Sequence, residues 1–131
     1  MKSFGSPFLP AILWLLISII LLTLPGNAVP KEDWLDKIWF DKWVHIGMFF
    51  IMVFLWLRAL LKNKKKDSKK TTLILLLIAA LLYGYGMELV QQYFIENRSF
   101  DWGDVAADAA GSVIGLFYFW IKLIKVGGKG I

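Results

Sequence analysis

The chain has 131 residues, the size of one domain, and 58% of them are hydrophobic, more than a water-soluble core of that length can bury. The surplus apolar surface must face lipid, and the absence of cysteine excludes both a disulfide frame and a thiolate metal site. The formal charge of +5 does not point to nucleic acid, because the lysines cluster beside apolar runs and no soluble basic domain presents them.

Four apolar stretches, residues 8–24, 45–61, 71–94 and 105–124, each approach the ~20 residues that cross a bilayer as helix. They predict an all-α fold, a four-helix transmembrane bundle built as a single domain over residues 1–131. The first stretch follows Lys2 and ends in Pro25-Gly26-Asn27-Ala28, a pattern shared with cleaved signal peptides. Its length favours a retained helix, and either reading leaves the following loop on the same side. That loop mixes Trp34, Trp39 and Trp43 with Asp33, Asp36, Lys37 and Asp41, which suits a short interfacial helix or an aromatic belt.

Residues 62–70 read KNKKKDSKK, a run that either binds anionic lipid or marks topology, and topology is the simpler account. The side of that loop carries Lys2, Arg58, Lys62, Lys64, Lys65, Lys66, Lys69, Lys70, Lys122, Lys125 and Lys129 against one acid, Asp67. The opposite side carries Lys31, Lys37, Lys42 and Arg98 against nine acids. Because cytoplasmic loops hold the Lys and Arg excess, both termini are expected in the cytoplasm of a multi-pass protein of the cell membrane.

The second stretch is preceded by Asp41-Lys42, with Asp41 placed to cap the helix and, at i,i+4, to share a face with His45. His45 is the only histidine. An imidazole near a helix end is ordinarily interfacial, but beside a carboxylate it also suits a general base or a metal ligand. In the third stretch Glu88 lies roughly 9 Å inside Phe94. A carboxylate facing lipid at the helix centre would cost about 2.5–3.5 kcal/mol, so Glu88 is expected to face the bundle, with Gln91 or Gln92 on the same side.

The fourth stretch places Asp104, Asp108, Gly111 and Gly115 on one stripe. Asp101 and Asp104 have an ordinary role offsetting the helix dipole, whereas Asp108 is too far along the helix for it. Gly111 and Gly115 form a small-xxx-small surface for close packing. Arg98, near Glu88, Glu96, Asp101 and Asp104, reads equally as a loop latch or as a bidentate clamp for phosphate or carboxylate. The ionisable residues thus gather at the outer ends of three helices.

The ordered set Asp41-Lys42-x-x-His45, Glu88-x-x-Gln91, Arg98, Asp101, Asp104, Gly111 and Gly115 resembles the VanZ-like family of small polytopic bacterial membrane proteins, from the end of the first stretch to the middle of the fourth. The departure is Asp108, where the family pattern carries an Asn. The resemblance implies a role in the bacterial envelope. It supplies no reaction, and the namesake's association with teicoplanin resistance is not carried over.

Three functions compete. In the first, an outward-facing site binds or modifies a lipid headgroup or lipid-linked envelope precursor. His45, Glu88, Asp108 and Asp41 would act in proton transfer or hold a divalent cation, and Lys42, Gln91, Arg98, Asp101 and Asp104 would contact the ligand. His with carboxylates does not name the metal. In the second the chain is a proton-coupled transporter subunit, although its polar residues occupy only the outer half. The third is a non-catalytic partner or scaffold whose polar layer fixes helix register. Substrate, reaction and oligomeric state are not legible.

Overall fold

The computed structural model describes residues 6–25, 40–62, 66–96 and 100–128, and four helices account for nearly all of them. These are α1 (Phe8–Leu22), α2 (Phe40–Leu61), α3 (Lys66–Phe94) and α4 (Trp102–Gly128). The expected all-α bundle is therefore the fold. The tryptophan-bearing loop of residues 31–39, the lysines at 64 and 65, and Arg98 lie outside the described residues.

Each helix follows from its apolar run, and the ends depart from expectation for local reasons. Helix α2 begins at Phe40 rather than 45, so Asp41 lies in its first turn instead of capping it. Helix α3 extends back to Lys66, through lysines, a residue type that favours helix. Helix α4 opens with Asp101 as its cap, the Asp101 Oδ1 accepting the Gly103 amide at 2.8 Å. Helix α1 stops at Leu22, where the Thr23 hydroxyl donates back to the Ile19 carbonyl at 2.7 Å and Pro25 follows.

Segments Asp41–Leu61, Ser68–Phe94 and Trp102–Lys122 are long and apolar enough to cross a membrane. Helix α1, with 15 residues, is shorter, at about 22 Å, than the ~30 Å of hydrocarbon expected from the 8–24 stretch. It is nonetheless fastened into the bundle. Trp14 Nε1 donates to the Met48 carbonyl at 3.0 Å, and Gln91 Nε2 donates to the Leu22 carbonyl at 2.7 Å. Ser18 and Tyr83 join their hydroxyls at 2.7 Å. Since the Ser18 hydroxyl donates to the Leu15 carbonyl, Tyr83 donates to Ser18. Tyr83→Phe is expected to cost about 0.6 kcal/mol, the average of interhelical hydrogen bonds in membranes, measured as a shift in unfolding midpoint in micelles.

Helix α2 is central, packing against each of the other three. One apolar cluster joins Val53, Leu57 and Leu61 of α2 to Leu73 and Ala80 of α3. A second joins Leu22 of α1 to Met48, Phe49 and Met52 of α2. The outward faces are apolar as well: Leu13, Leu16 and Ile20 on α1, Leu75 and Leu82 on α3, Ile114 and Phe117 on α4 are all exposed. Only a hydrocarbon solvent accommodates such a surface.

The α2–α4 contact is the most extensive among the described residues. A Cβ added at Gly111 would overlap the Ile46 carbonyl oxygen, and one at Gly115 would stand 3.1 Å from Val53 Cγ1. The glycine stripe thus brings α4 onto the α2 backbone, as expected of a small-xxx-small surface. Gly84 does the same for α3, since a Cβ there would meet Asp108 Oδ2 at 2.9 Å.

Candidate functional site

The glycine seam sets the rotation of α4, and with it the direction of the acidic stripe one and two turns above. His45 lies about 7.5 Å from the start of α2, Asp108 about 9 Å from the start of α4 and Glu88 about 9 Å from the end of α3, so all three share one depth. They are 5%, 3% and 1% exposed, which places them inside the bundle rather than against lipid.

The innermost pair is His45 and Asp108, with Nδ1 and Oδ1 2.7 Å apart and both side chains buried. This contact fixes the imidazole ring and leaves Nε2 directed at the rest of the cluster; with Asp108 ionised, the Nδ1–H donates to its carboxylate. Asp104 Oδ2 stands 3.7 Å from Nε2. Glu88 Oε1 accepts the Asp101 amide at 3.1 Å, which ties the end of α3 to the start of α4. Glu88 Oε2 is buried with no hydrogen-bond partner.

Above this pair, Lys42 forms a latch. Its Nζ lies 2.7 Å from Asp41 Oδ2, 2.7 Å from Asp101 Oδ2 and 3.0 Å from Asp104 Oδ1. The Asp104 Oδ1 contact is ionic and lacks hydrogen-bond geometry. Lys42 holds the Asp101 carboxyl below the usual carboxylate range. A lowered folded value means that this ion pair stabilises the fold above the unfolded pKa of ~3.9 and fails as pH falls through the folded one. The latch is therefore expected to open only in acid, seen as a change in tryptophan fluorescence, because Trp102 adjoins Asp101.

The assembled set sorts the residues anticipated from sequence. His45, Glu88, Asp104 and Asp108 meet in the interior, and Asp41, Lys42 and Asp101 close the end of the bundle opposite the α2–α3 connection. Asp41 is not the partner of His45; its side chain is half exposed and bound to Lys42, and Asp108 takes the imidazole instead. Gln91 turns away from the acids to bind the terminal carbonyl of α1. Gln92, on the next position, accepts the Phe100 amide through Oε1 at 2.6 Å. Arg98 is outside the described residues.

Sequence reasoning missed Ser18 and Tyr83. Ser18 is the one hydroxyl between Phe8 and Leu22, whereas Tyr83 is one of several in the 71–94 run and nothing in its spacing marks it. Aromatic side chains frame this end of the bundle: Tyr85, Phe100 and Trp102 pack with ring centroids 4.8–6.0 Å apart. Trp43, Tyr93, Phe94 and Trp102 are largely exposed there, as rings at a headgroup boundary should be.

Chemically, five carboxylates (Asp41, Glu88, Asp101, Asp104, Asp108) face one ammonium and one imidazole. Among the described residues Lys42 is the only lysine or arginine at this end, and three carboxylates already surround it. The cluster therefore favours a cation or a hydrogen-bond donor over a bare anion, and the His45–Asp108 pair can carry a proton.

A family model described as VanZ/LLP1 aligns with residues 9–124, from the first turn of α1 to the end of the fourth apolar stretch. No curated protein and no solved structure matches the chain.

Proposed function

This chain belongs to the VanZ/LLP1 family, and on that premise we propose that it acts in the bacterial cell membrane, binding or modifying a lipid headgroup or lipid-linked envelope precursor at an outward-facing site. The observation that carries this reading is the His45–Asp108 pair, 2.7 Å apart and buried beside an unpartnered Glu88 oxygen about 9 Å along its helix. Packing alone gives little reason to gather so many costly groups at one depth, whereas a site that handles a polar headgroup at the membrane surface does.

In this reading Asp108 positions His45, and His45 Nε2 exchanges a proton with a hydroxyl or amine of the ligand. Glu88 and Asp104 accept hydrogen bonds from the same group, and the Lys42 latch with Asp41 and Asp101 forms the outer rim. Arg98, on the short connection between α3 and α4, remains the candidate for a phosphate contact. The aromatic ring system of Tyr85, Phe100 and Trp102 suits the level at which lipid headgroups sit.

A scaffold role has one observation in its favour, the use of Gln91 to fasten α1 rather than to line the site. Lipid retention separates the two. Protein reconstituted in native lipid and analysed by native mass spectrometry is expected to retain a polar envelope lipid, and Glu88→Gln and His45→Ala are expected to release it. Equal lipid content in wild type and both variants would leave only the scaffold.

A further inference from the structure

We propose that His45 Nε2, a carboxylate oxygen of Glu88 and a carboxylate oxygen of Asp104 form a divalent-cation site joining α2, α3 and α4, with Asp108 as the residue that orients the histidine. One ligand atom from each of the three lies within 4.8 Å of the others. Bonds of ~2.0–2.2 Å bring ligand atoms to roughly 3–4 Å from one another, so a small turn of the carboxylates closes the set.

Two independent features point to an ion here rather than to acids that merely share a surface. Glu88 is 1% exposed and its Oε2 has no hydrogen-bond partner, a cost that a metal bond would remove. The imidazole is also presented as metal-binding histidines are, one nitrogen held by a carboxylate and the other free to ligate. One imidazole and two carboxylates suit Zn²⁺ or Mn²⁺, and the Irving–Williams order favours Zn²⁺ between them.

The inference deepens the reading of this cluster as a headgroup site, and it resolves a difficulty in that reading. With five carboxylates around Lys42 and His45, a phosphate approaches the interior only if a cation neutralises part of the charge. Three protein ligands leave Zn²⁺ an open position, and a phosphate or hydroxyl oxygen of the ligand would fill it.

Because His45 is the only histidine, the site has a unique spectroscopic reporter. Protein without a histidine tag, carrying isotope-labelled histidine and held in lipid nanodiscs, is titrated with Zn²⁺ while the imidazole nitrogens are followed by NMR. The expected result is a shift of Nε2 that saturates at one equivalent, with Nδ1 keeping its proton toward Asp108. Glu88→Gln and Asp104→Asn are expected to weaken Zn²⁺ binding at least about 10-fold, and Asp108→Asn about 10–100-fold. An imidazole spectrum of the wild type that ignores Zn²⁺, or ligation through Nδ1, overturns the inference without requiring any variant to fold. Lipid retained by a protein that does not bind Zn²⁺ rejects the metal and keeps the headgroup site; Zn²⁺ bound without lipid does the reverse.

Discussion

Gly111→Ala is expected to destabilise the bundle by about 3 kcal/mol, at the upper end of what an extra methyl costs in a tight contact. The new Cβ would overlap the Ile46 carbonyl oxygen, a backbone atom that no rotamer change can move, so α4 must lift from α2. Gly115→Ala is expected to cost less, about 1 kcal/mol, because a Cβ there would stand 3.1 Å from Val53 Cγ1 and 3.3 Å from the Phe50 carbonyl oxygen, tight contacts without overlap. Equilibrium unfolding in micelles orders the two. Lifting α4 also pulls Asp108 from His45, so Gly111→Ala should weaken the site without touching a site residue.

His45→Ala is expected to abolish any proton transfer at the site, a loss of about 100-fold or more, while costing the fold far less. A buried charge pair in a water-soluble core loses about 3–5 kcal/mol when one partner goes. In a membrane the partly unfolded helices also find polar partners, and interhelical polar contacts reach about 1.7 kcal/mol at most. The smaller figure applies here, since the cluster lies within two turns of the helix ends and water can reach an opened bundle. Lipid retention and unfolding midpoint measured on the same preparation separate the effects. Parallel losses would assign His45 to packing; retained stability with lost ligand assigns it to the site.

Much of the site was legible because carboxylates near a bilayer have few places to go. The spacing of Asp104, Asp108, Gly111 and Gly115 predicted one face, and the glycines at Ile46 and Val53 show why that face is inward. The depth of Glu88 predicted its burial, and it is 1% exposed. What sequence could not give was rotation. Spacing pairs His45 with Asp41, but Asp108 takes the imidazole, because α4 turns that carboxylate inward once Gly111 meets the α2 backbone. Its i,i+3 spacing from Glu88 predicts Gln91 in the site, whereas the position of the end of α1 diverts its amide to the Leu22 carbonyl.

The four apolar runs gave the helices, and local caps such as Asp101 on α4 and Thr23 on α1 set most of their ends; at the start of α2 a pairing made at a distance adds to this. Asp41 and Lys42 belong to α2 because acids of α4 neutralise the lysine there. The Ser18–Tyr83 bond was invisible for a simpler reason: a lone serine in α1 and one tyrosine among the several hydroxyls of α3 change neither hydropathy nor period.

The central claim is that inward-turned acids at the end opposite the KNKKKDSKK loop open to the cell exterior. The native chain has no cysteine, so single cysteines report without background. In intact cells a small membrane-impermeant thiol reagent is expected to modify Glu96→Cys, and Asp104→Cys more slowly, while Ser68→Cys reacts only after the cells are opened. Modification of Ser68→Cys from outside, with Glu96→Cys and Asp104→Cys protected until lysis, would contradict it.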